Sequence, residues 1–393
     1  MNKKRSAFSG KIGYVLSAAG ASVGLGNIWR FPYLAAKYGG GIFLLVYIIL
    51  ALTFGYTMIV AESALGRMTR KSPVGAFRSF AKGKKVGWLS FGGWINAIIP
   101  VLIVPYYSVI GGWVVKYLFE YIRGNGSKLA EDGYFSGFIS NGGATEICFV
   151  IFCMFTLVII YAGVQNGIER VSKIMMPILI VLSVIIAIYS VTRPGAIEGV
   201  KYFLVPNVKN FSWMTVVAAM GQMFYSLSIA MGILVTFGSY MRKDTSIEDS
   251  TRNVEIFDTA IAMMAGLMII PAVFAFSGGD PDTLQAGPSL MFITIPKVFA
   301  NMGFGTAVGI LFFVLVLFAA VTSSIALTES AVSTFEDELG WGRKKATVLT
   351  GVIMIALGTL SCLGYGPLDF VKIIGMQFLD FFDFLTNSVM MPI

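Results

Sequence analysis

Asp258 stands just inside an apolar stretch that runs from about 254 to 277. A carboxylate in such surroundings is expensive and marks a functional site by default; the plainer alternative is a helix-end residue that reaches water. Glu62 and Asp383 occupy similar positions in other apolar stretches. Thr322 and Ser323 place adjacent hydroxyls inside a third stretch, where they either face a ligand or bond back to the preceding turn. Ser17 to Arg30 is the richest segment: Gly20, Ser22, Gly24, Gly26, Asn27 and Arg30 interrupt an otherwise apolar run. Gly221 to Gly232 is a second interruption, with Gln222, Ser226 and Ser228 between its flanking glycines. Clustered glycines favour local unwinding, since each weakens a helix by about 1 kcal/mol relative to alanine. Gly20 and Gly24 also fit a small-residue packing face, but packing alone leaves Asn27 and Arg30 unexplained.

The chemistry open to such breaks is specific. A broken helix ends in free carbonyls on one side and free N–H groups on the other. Carbonyls with nearby Asn, Ser and Thr oxygens suit a hard cation such as sodium. The N–H groups, at the positive end of the helix dipole, suit a carboxylate. Unwound backbone at membrane depth is tolerated only where protein buries it or a cavity is lined by it.

The elements that must carry these residues follow from composition. Of 393 residues, 56% are hydrophobic and 13% are charged, against roughly 25% charged in a soluble domain. Apolar blocks lie at about 12–37, 41–66, 88–122, 146–163, 168–192, 213–240, 254–277, 305–335, 346–363 and 371–393. Each approaches the roughly 20 residues that a membrane helix needs. The expectation is an all-α polytopic membrane protein, one transmembrane domain over 1–393, with two inverted five-helix repeats at about 11–192 and 213–393. Helices 1 and 6 are the broken ones, and paired breaks at matching positions point to a midplane binding site. The last block ends at Ile393 without a polar exit and reads as cut.

The net charge of +8 is carried by short loops, the pattern of orientation signals rather than of nucleic-acid binding. Lys3, Lys4, Arg5 and Lys11, then Arg67, Arg70, Lys71, Arg78, Lys82, Lys84 and Lys85, place the amino terminus and the loop after the second block in the cytoplasm. The 278–304 connection, with Gly278 to Pro281 and Ala286 to Ser289, is then outside and reads as a helical lid or an ordinary structured loop. There are no histidines, which removes histidine metal sites, Ser-His triads and histidine proton relays. Cys148 and Cys153 lie five apart on one helix, a poor geometry for a bridge, and with Cys362 read as core residues. No nucleophile–base pair is placed for catalysis, so no enzyme is expected.

Four motifs carry a resemblance: Gly24 to Pro32, Gly39 to Gly41, Gly287-Pro288 with Phe292 to Pro296, and Thr322 to Ile325. With them the chain resembles the neurotransmitter:sodium symporter family, in particular its bacterial amino-acid transporters such as the leucine transporter. The similarity runs from Arg5 to Ile393. The rule that paired helix breaks mark a transporter site draws on that same leucine transporter, so the match is no independent test of the rule.

The resemblance implies two sodium sites. The first would use the Ser22 carbonyl, Asn27, Ser226 and Asp258. The second would use the carbonyls of Gly20, Val23 and Ala319 and the hydroxyls of Thr322 and Ser323. It implies a substrate carboxylate at the Leu25 and Gly26 N–H groups and the Tyr107 hydroxyl. The substrate side chain would sit among Ile103, Tyr225, Ser228, Met231, Ser323 and Leu327. Arg30 and Asp383 would close an outer gate, under the aromatic Tyr225, and Arg5 and Asp337, with Ser239 and Tyr240, an inner one. Phe8 stands where many members have Trp, which implies a weaker inner contact.

Many relatives have Asn at Asp258 and Thr at Ser226. Some need chloride beside the first sodium, and Ala262 has no hydroxyl to hold it. Asp258 would supply that charge itself, so chloride-independent transport is expected. The implied function is sodium-coupled symport of a neutral apolar or aromatic amino acid across the cell (inner) membrane by alternating access. The alternative is an amino-acid-binding membrane receptor or channel without coupling.

Overall fold

The computed structural model describes residues 6–80, 87–278 and 287–392, with the side chains of 87–89 left aside. Arg5, Asp280 and Ala286, singled out above, lie outside the described residues. So do Lys3, Lys4, Lys82, Lys84, Lys85, Pro281 and Ile393.

Among the described residues, seven helices are long and apolar enough to cross a membrane: Gly41–Thr69, Ser90–Ile122, Gly142–Tyr161, Val164–Val191, Ile247–Ser277, Gly305–Glu338 and Arg343–Leu363. Three further spans are interrupted or short. The first is Lys11–Ser22, a break, a π-helical turn Gly26–Arg30 and Phe31–Lys37. The sixth is Trp213–Ser226, a break and Ile233–Tyr240. The tenth is Phe378–Asp383, continued by a π-helical stretch Phe384–Met390. The protein is a polytopic all-α membrane protein with broken first and sixth spans.

Apolar side chains face outward at helical spacing on several spans. Ile147, Ile151 and Val158 do so on the fourth, Ile174, Val181 and Ile188 on the fifth, and Val348 and Val352 on the ninth. Such faces are stable in hydrocarbon, where the helix itself satisfies its backbone groups. The third and eighth spans are mostly buried and form the centre, with the first span's two halves against the seventh and eighth.

Several boundaries depart from the apolar blocks for a physical reason. The fourth span starts at Gly142 because the Asn141 side chain caps it, accepting from the Ala144 N–H at 3.1 Å. The seventh starts at Ile247 because Ser246 accepts from the Asp249 N–H at 3.2 Å. Side-chain caps let polar first turns join a helix, and hydropathy does not register them. The tenth span starts at Phe378 rather than 371, since Ile373 and Met376 pair as an isolated bridge that turns the chain first. Within the 278–304 connection, Leu290–Thr294 and Ile295–Ala300 are helical.

Candidate functional site

The break in the first span begins where Val23 turns extended, with φ −75° and ψ 94°. Glycine is required just beyond it. A Cβ on Gly24 would lie 2.5 Å from Ser323 Oγ, and one on Gly26 would lie 2.5 Å from the Tyr225 ring. The break in the sixth span holds Ser228 and Ala230 at φ 55° and 62°, a region that costs L-residues energy and persists only where surroundings enforce it. Glu62 supplies part of that enforcement, accepting from the Ala230 N–H at 2.8 Å.

Two oxygen-rich groups gather at these breaks. In the first, Asn27 Nδ2 donates to Ser226 Oγ at 2.9 Å and to Asp258 Oδ1 at 2.8 Å. Ser226 Oγ also donates to Asp258, and Tyr47 donates to Asp258 Oδ2 at 3.0 Å. Asp258 is fully buried, and these donors hold its carboxylate without a basic partner among the described residues. The Asn27 carbonyl oxygen faces away, accepting from the Gly24 N–H at 3.1 Å.

In the second group, Ser323 Oγ lies 3.3, 3.1 and 3.3 Å from the carbonyl oxygens of Gly20, Ala21 and Val23. The Thr322 hydroxyl bonds back to Phe318 at 2.9 Å and Ala319 at 3.2 Å, so the local alternative holds for it in this state. Thr322 still packs on Gly20, where an added Cβ would lie 3.1 Å from the threonine Cβ. Hard oxygens are the donors that a sodium ion takes.

Between these groups lies a cavity of about 30 Å³. Ser22, Leu25, Gly26, Ile103, Tyr107, Tyr225, Ser226, Ser228, Met231, Ser323 and Leu327 all border it. The structure therefore brings together every residue that the sequence placed around a substrate. Ala21, Gly24 and Ile233 complete the lining with Asn27. The Leu25 N–H donates to the Tyr107 hydroxyl at 3.2 Å, and Gln222 Nε2 donates to the Gly26 carbonyl at 3.1 Å. With Ala21 and Ile233, Tyr47 is a site residue that sequence reasoning missed. Its signal was faint: it carries the one side-chain hydroxyl between Gly41 and Leu52.

Above Tyr225 a vestibule of about 270 Å³ opens, bordered by Arg30, Tyr106, Asp380 and Asp383 and by Gly287 and Pro288. Arg30 lies over the Tyr225 ring at 4.9 Å, within cation–π range. Asp383 accepts from Asn387 at 2.7 Å. Arg30 and Asp383, both among the described residues, share the vestibule without a direct ion pair.

The opposite end is sealed. Phe8 is buried against Tyr14, Phe237 and Tyr240, and its N–H donates to the Tyr240 carbonyl at 3.1 Å. Asp337 accepts from the Ser72 N–H at 2.6 Å. Glu329 joins Tyr240 at 2.7 Å and Arg343 at 2.5 Å.

The chain matches the model of the sodium:neurotransmitter symporter family over residues 5–127 and 134–393. It is 37% identical over 388 residues to the uncharacterised sodium-dependent transporter YhdH of Bacillus subtilis, covering 98% of this chain and 84% of that one. An uncharacterised sodium-dependent transporter of Haemophilus influenzae is 33% identical, with 99% and 87% covered. The crystal structure of MhsT in complex with L-phenylalanine superposes with a TM-score of 0.88 at 39% identity, over 99% of this chain and 88% of that one. With its broken first and sixth spans and its oxygen-lined breaks, the chain belongs to the sodium:neurotransmitter symporter family and is a sodium-dependent transporter, not an enzyme.

Proposed function

We propose that the protein carries a neutral apolar or aromatic amino acid into the cell together with sodium, by alternating access. One observation carries the reading: the eleven candidate substrate residues, drawn from four spans, border one cavity between two clusters of hard oxygens. The cavity contributes no fixed charge to a side chain beyond Asp258 near its edge, which favours a neutral substrate. The phenylalanine named with MhsT supports the same class.

The substrate carboxylate meets the Leu25 and Gly26 N–H groups and the Tyr107 hydroxyl. Its apolar part lies among Ile103, Tyr225, Ser228, Met231 and Leu327. A volume of about 30 Å³ admits about two waters, so binding displaces Tyr225 or Met231; methionine repacks readily. One sodium sits with the Ser22 carbonyl, Asn27, Ser226 and Asp258. It replaces the Asn27 N–H₂ group among those oxygens, and the amide turns its own oxygen inward. A second sodium sits with the Gly20, Val23 and Ala319 carbonyls and the Thr322 and Ser323 hydroxyls, tying the first span to the eighth. Its loss frees the first half of the first span to swing from the sealed end.

Arg30 and Asp383 close the outer gate once the substrate is in place. Asp337, with Arg5, closes the inner one. The amino terminus is cytoplasmic, the membrane is the cell (inner) membrane, and the repeats cover about 11–192 and 213–393.

Purified protein in liposomes, with sodium high outside only, tests the proposal. Radiolabelled phenylalanine or leucine should accumulate above its equilibrium level, and collapse of the sodium gradient should abolish the excess. Saturable binding without accumulation would favour a receptor or channel. Competition won by glycine or proline would sink the substrate class.

A further inference from the structure

We infer that a basic cleft at the sealed end of the molecule binds the headgroup of an anionic phospholipid. The cleft, of about 820 Å³, lies between the end of the second span, the helix Pro73–Phe80 and the start of the seventh span. Arg67, Arg70 and Lys243 border it, and among the described residues no carboxylate does. Its other wall is apolar: Leu65, with Met68 and Phe80, which are 67% and 51% exposed.

The cations are placed in advance. Arg67 is anchored to the Thr245 carbonyl at 2.5 Å and Arg70 to the Ser239 carbonyl at 3.1 Å. The Arg67 guanidinium has five N–H donors, so its anchor leaves donors over. Lys243 is exposed and forms no ion pair among the described residues, because the nearby Asp244 pairs with Arg242 at 2.8 Å. A phosphodiester matches this set in charge and in donor geometry. The apolar wall selects a lipid over a free phosphate. Leu65 and Met68 continue the exposed face of the second span, along which an acyl chain can lie. Exposed apolar residues rimmed by fixed cations at a helix end are the pattern of an anionic-lipid site.

The leaflet rests on the orientation proposed above: with the amino terminus cytoplasmic, the lipid belongs to the inner leaflet. The binding itself needs no transport, so the two readings can fail separately.

The test is lipid retention by the full chain. Protein stripped in detergent is offered phosphatidylglycerol and phosphatidylcholine at equal amounts, and bound lipid is read by native mass spectrometry. Phosphatidylglycerol should be retained at least about fivefold over phosphatidylcholine. Lys243→Gln should weaken it about fivefold, as removal of one surface cation predicts. Ala64→Trp, which fills the apolar wall and keeps every cation, should weaken it similarly. Lys209→Gln, exposed ahead of the sixth span, should change nothing. Equal retention of the two lipids, or wild-type retention by both cleft variants, would overturn the proposal. So would displacement of the lipid by millimolar inorganic phosphate, which would mark a free-anion site. Labelling of a Lys243→Cys variant by an impermeant thiol reagent outside intact cells would overturn the leaflet and leave the binding result standing. Sodium-driven uptake, measured on the same wild-type preparation, tests the transport reading independently.

Discussion

The two oxygen clusters at the helix breaks are built on opposite principles. The cluster around Asp258 is made of side chains, contributed by Tyr47, Asn27, Ser226 and Asp258 from four different spans. It holds an ionisable carboxyl group in a fully buried position. The cluster around Ser323 is made largely of backbone, with the Gly20, Ala21 and Val23 carbonyls converging on one hydroxyl. It carries no formal charge. On the proposed reading, an ionised Asp258 would draw a cation whatever the fine geometry, and the second cluster would hold one only while the break keeps its shape and the first and eighth spans stay together. A charged site therefore suits sodium bound with the substrate, and a neutral, geometry-dependent site suits sodium whose departure reports a moving helix.

The largest expected effect breaks the charged cluster. Asp258→Ala removes the carboxylate on which Tyr47, Ser226 and Asn27 converge and leaves them with no anion to face. Losing one partner of a buried charge pair costs about 3–5 kcal/mol, or more than about a hundredfold in affinity. Sodium-driven uptake should fall to background, and sodium should no longer raise substrate binding in a scintillation-proximity assay. Retention of half the wild-type uptake would mean that Asp258 does not hold the cation.

A smaller effect is expected at the neutral cluster. Thr322→Val keeps the shape of the side chain and its packing on Gly20, and removes one uncharged oxygen. Its back-bonds to Phe318 and Ala319 lie within one helix, so the fold should tolerate the change. A hydrogen bond to a charged group contributes about 1.5–3 kcal/mol, and loss of one neutral ligand is of that order. The sodium concentration for half-maximal uptake should rise about tenfold or somewhat more. An unchanged sodium dependence would remove Thr322 from the cation site and leave its hydroxyl as a purely local bond.

The contrast also explains what could be read from sequence. Glycines, Asn27, Ser226, Asp258 and the Thr322–Ser323 pair are conspicuous because they are polar or flexible in apolar runs. Tyr47 was overlooked because a phenol counts as apolar until its hydroxyl is seen 3.0 Å from a carboxylate. Ile233 looks like any core residue, and only the turn at Gly232, φ 68°, aims it at the cavity. Hydropathy finds the apolar part of each span but not the polar first turns that Asn141 and Ser246 cap. It also extends the tenth span across the Ile373–Met376 turn. Arg30 and Asp383 could be singled out from sequence and share the vestibule, but their partners could not: here Arg30 stacks on Tyr225 and Asp383 accepts from Asn387.

The smallest expected effect is the sharpest test of how the first cluster balances charge. On the proposed reading, a cation beside Asp258 would have its counter-charge in the protein, so a mobile anion is expected to add nothing. Ala262, one turn along and fully buried, has no hydroxyl to hold chloride. Uptake with chloride replaced by gluconate at constant sodium should stay within about twofold, well short of the roughly tenfold that 1.4 kcal/mol of lost ion binding would produce. Asp258→Asn sharpens the contrast, since it keeps the shape and a ligating oxygen but removes the charge. Its residual uptake should depend on an added anion if charge balance is the role of Asp258. A several-fold loss of wild-type uptake in gluconate would show instead that the cluster needs an anion despite its carboxylate, and the two clusters would then differ in composition but not in how they are neutralised.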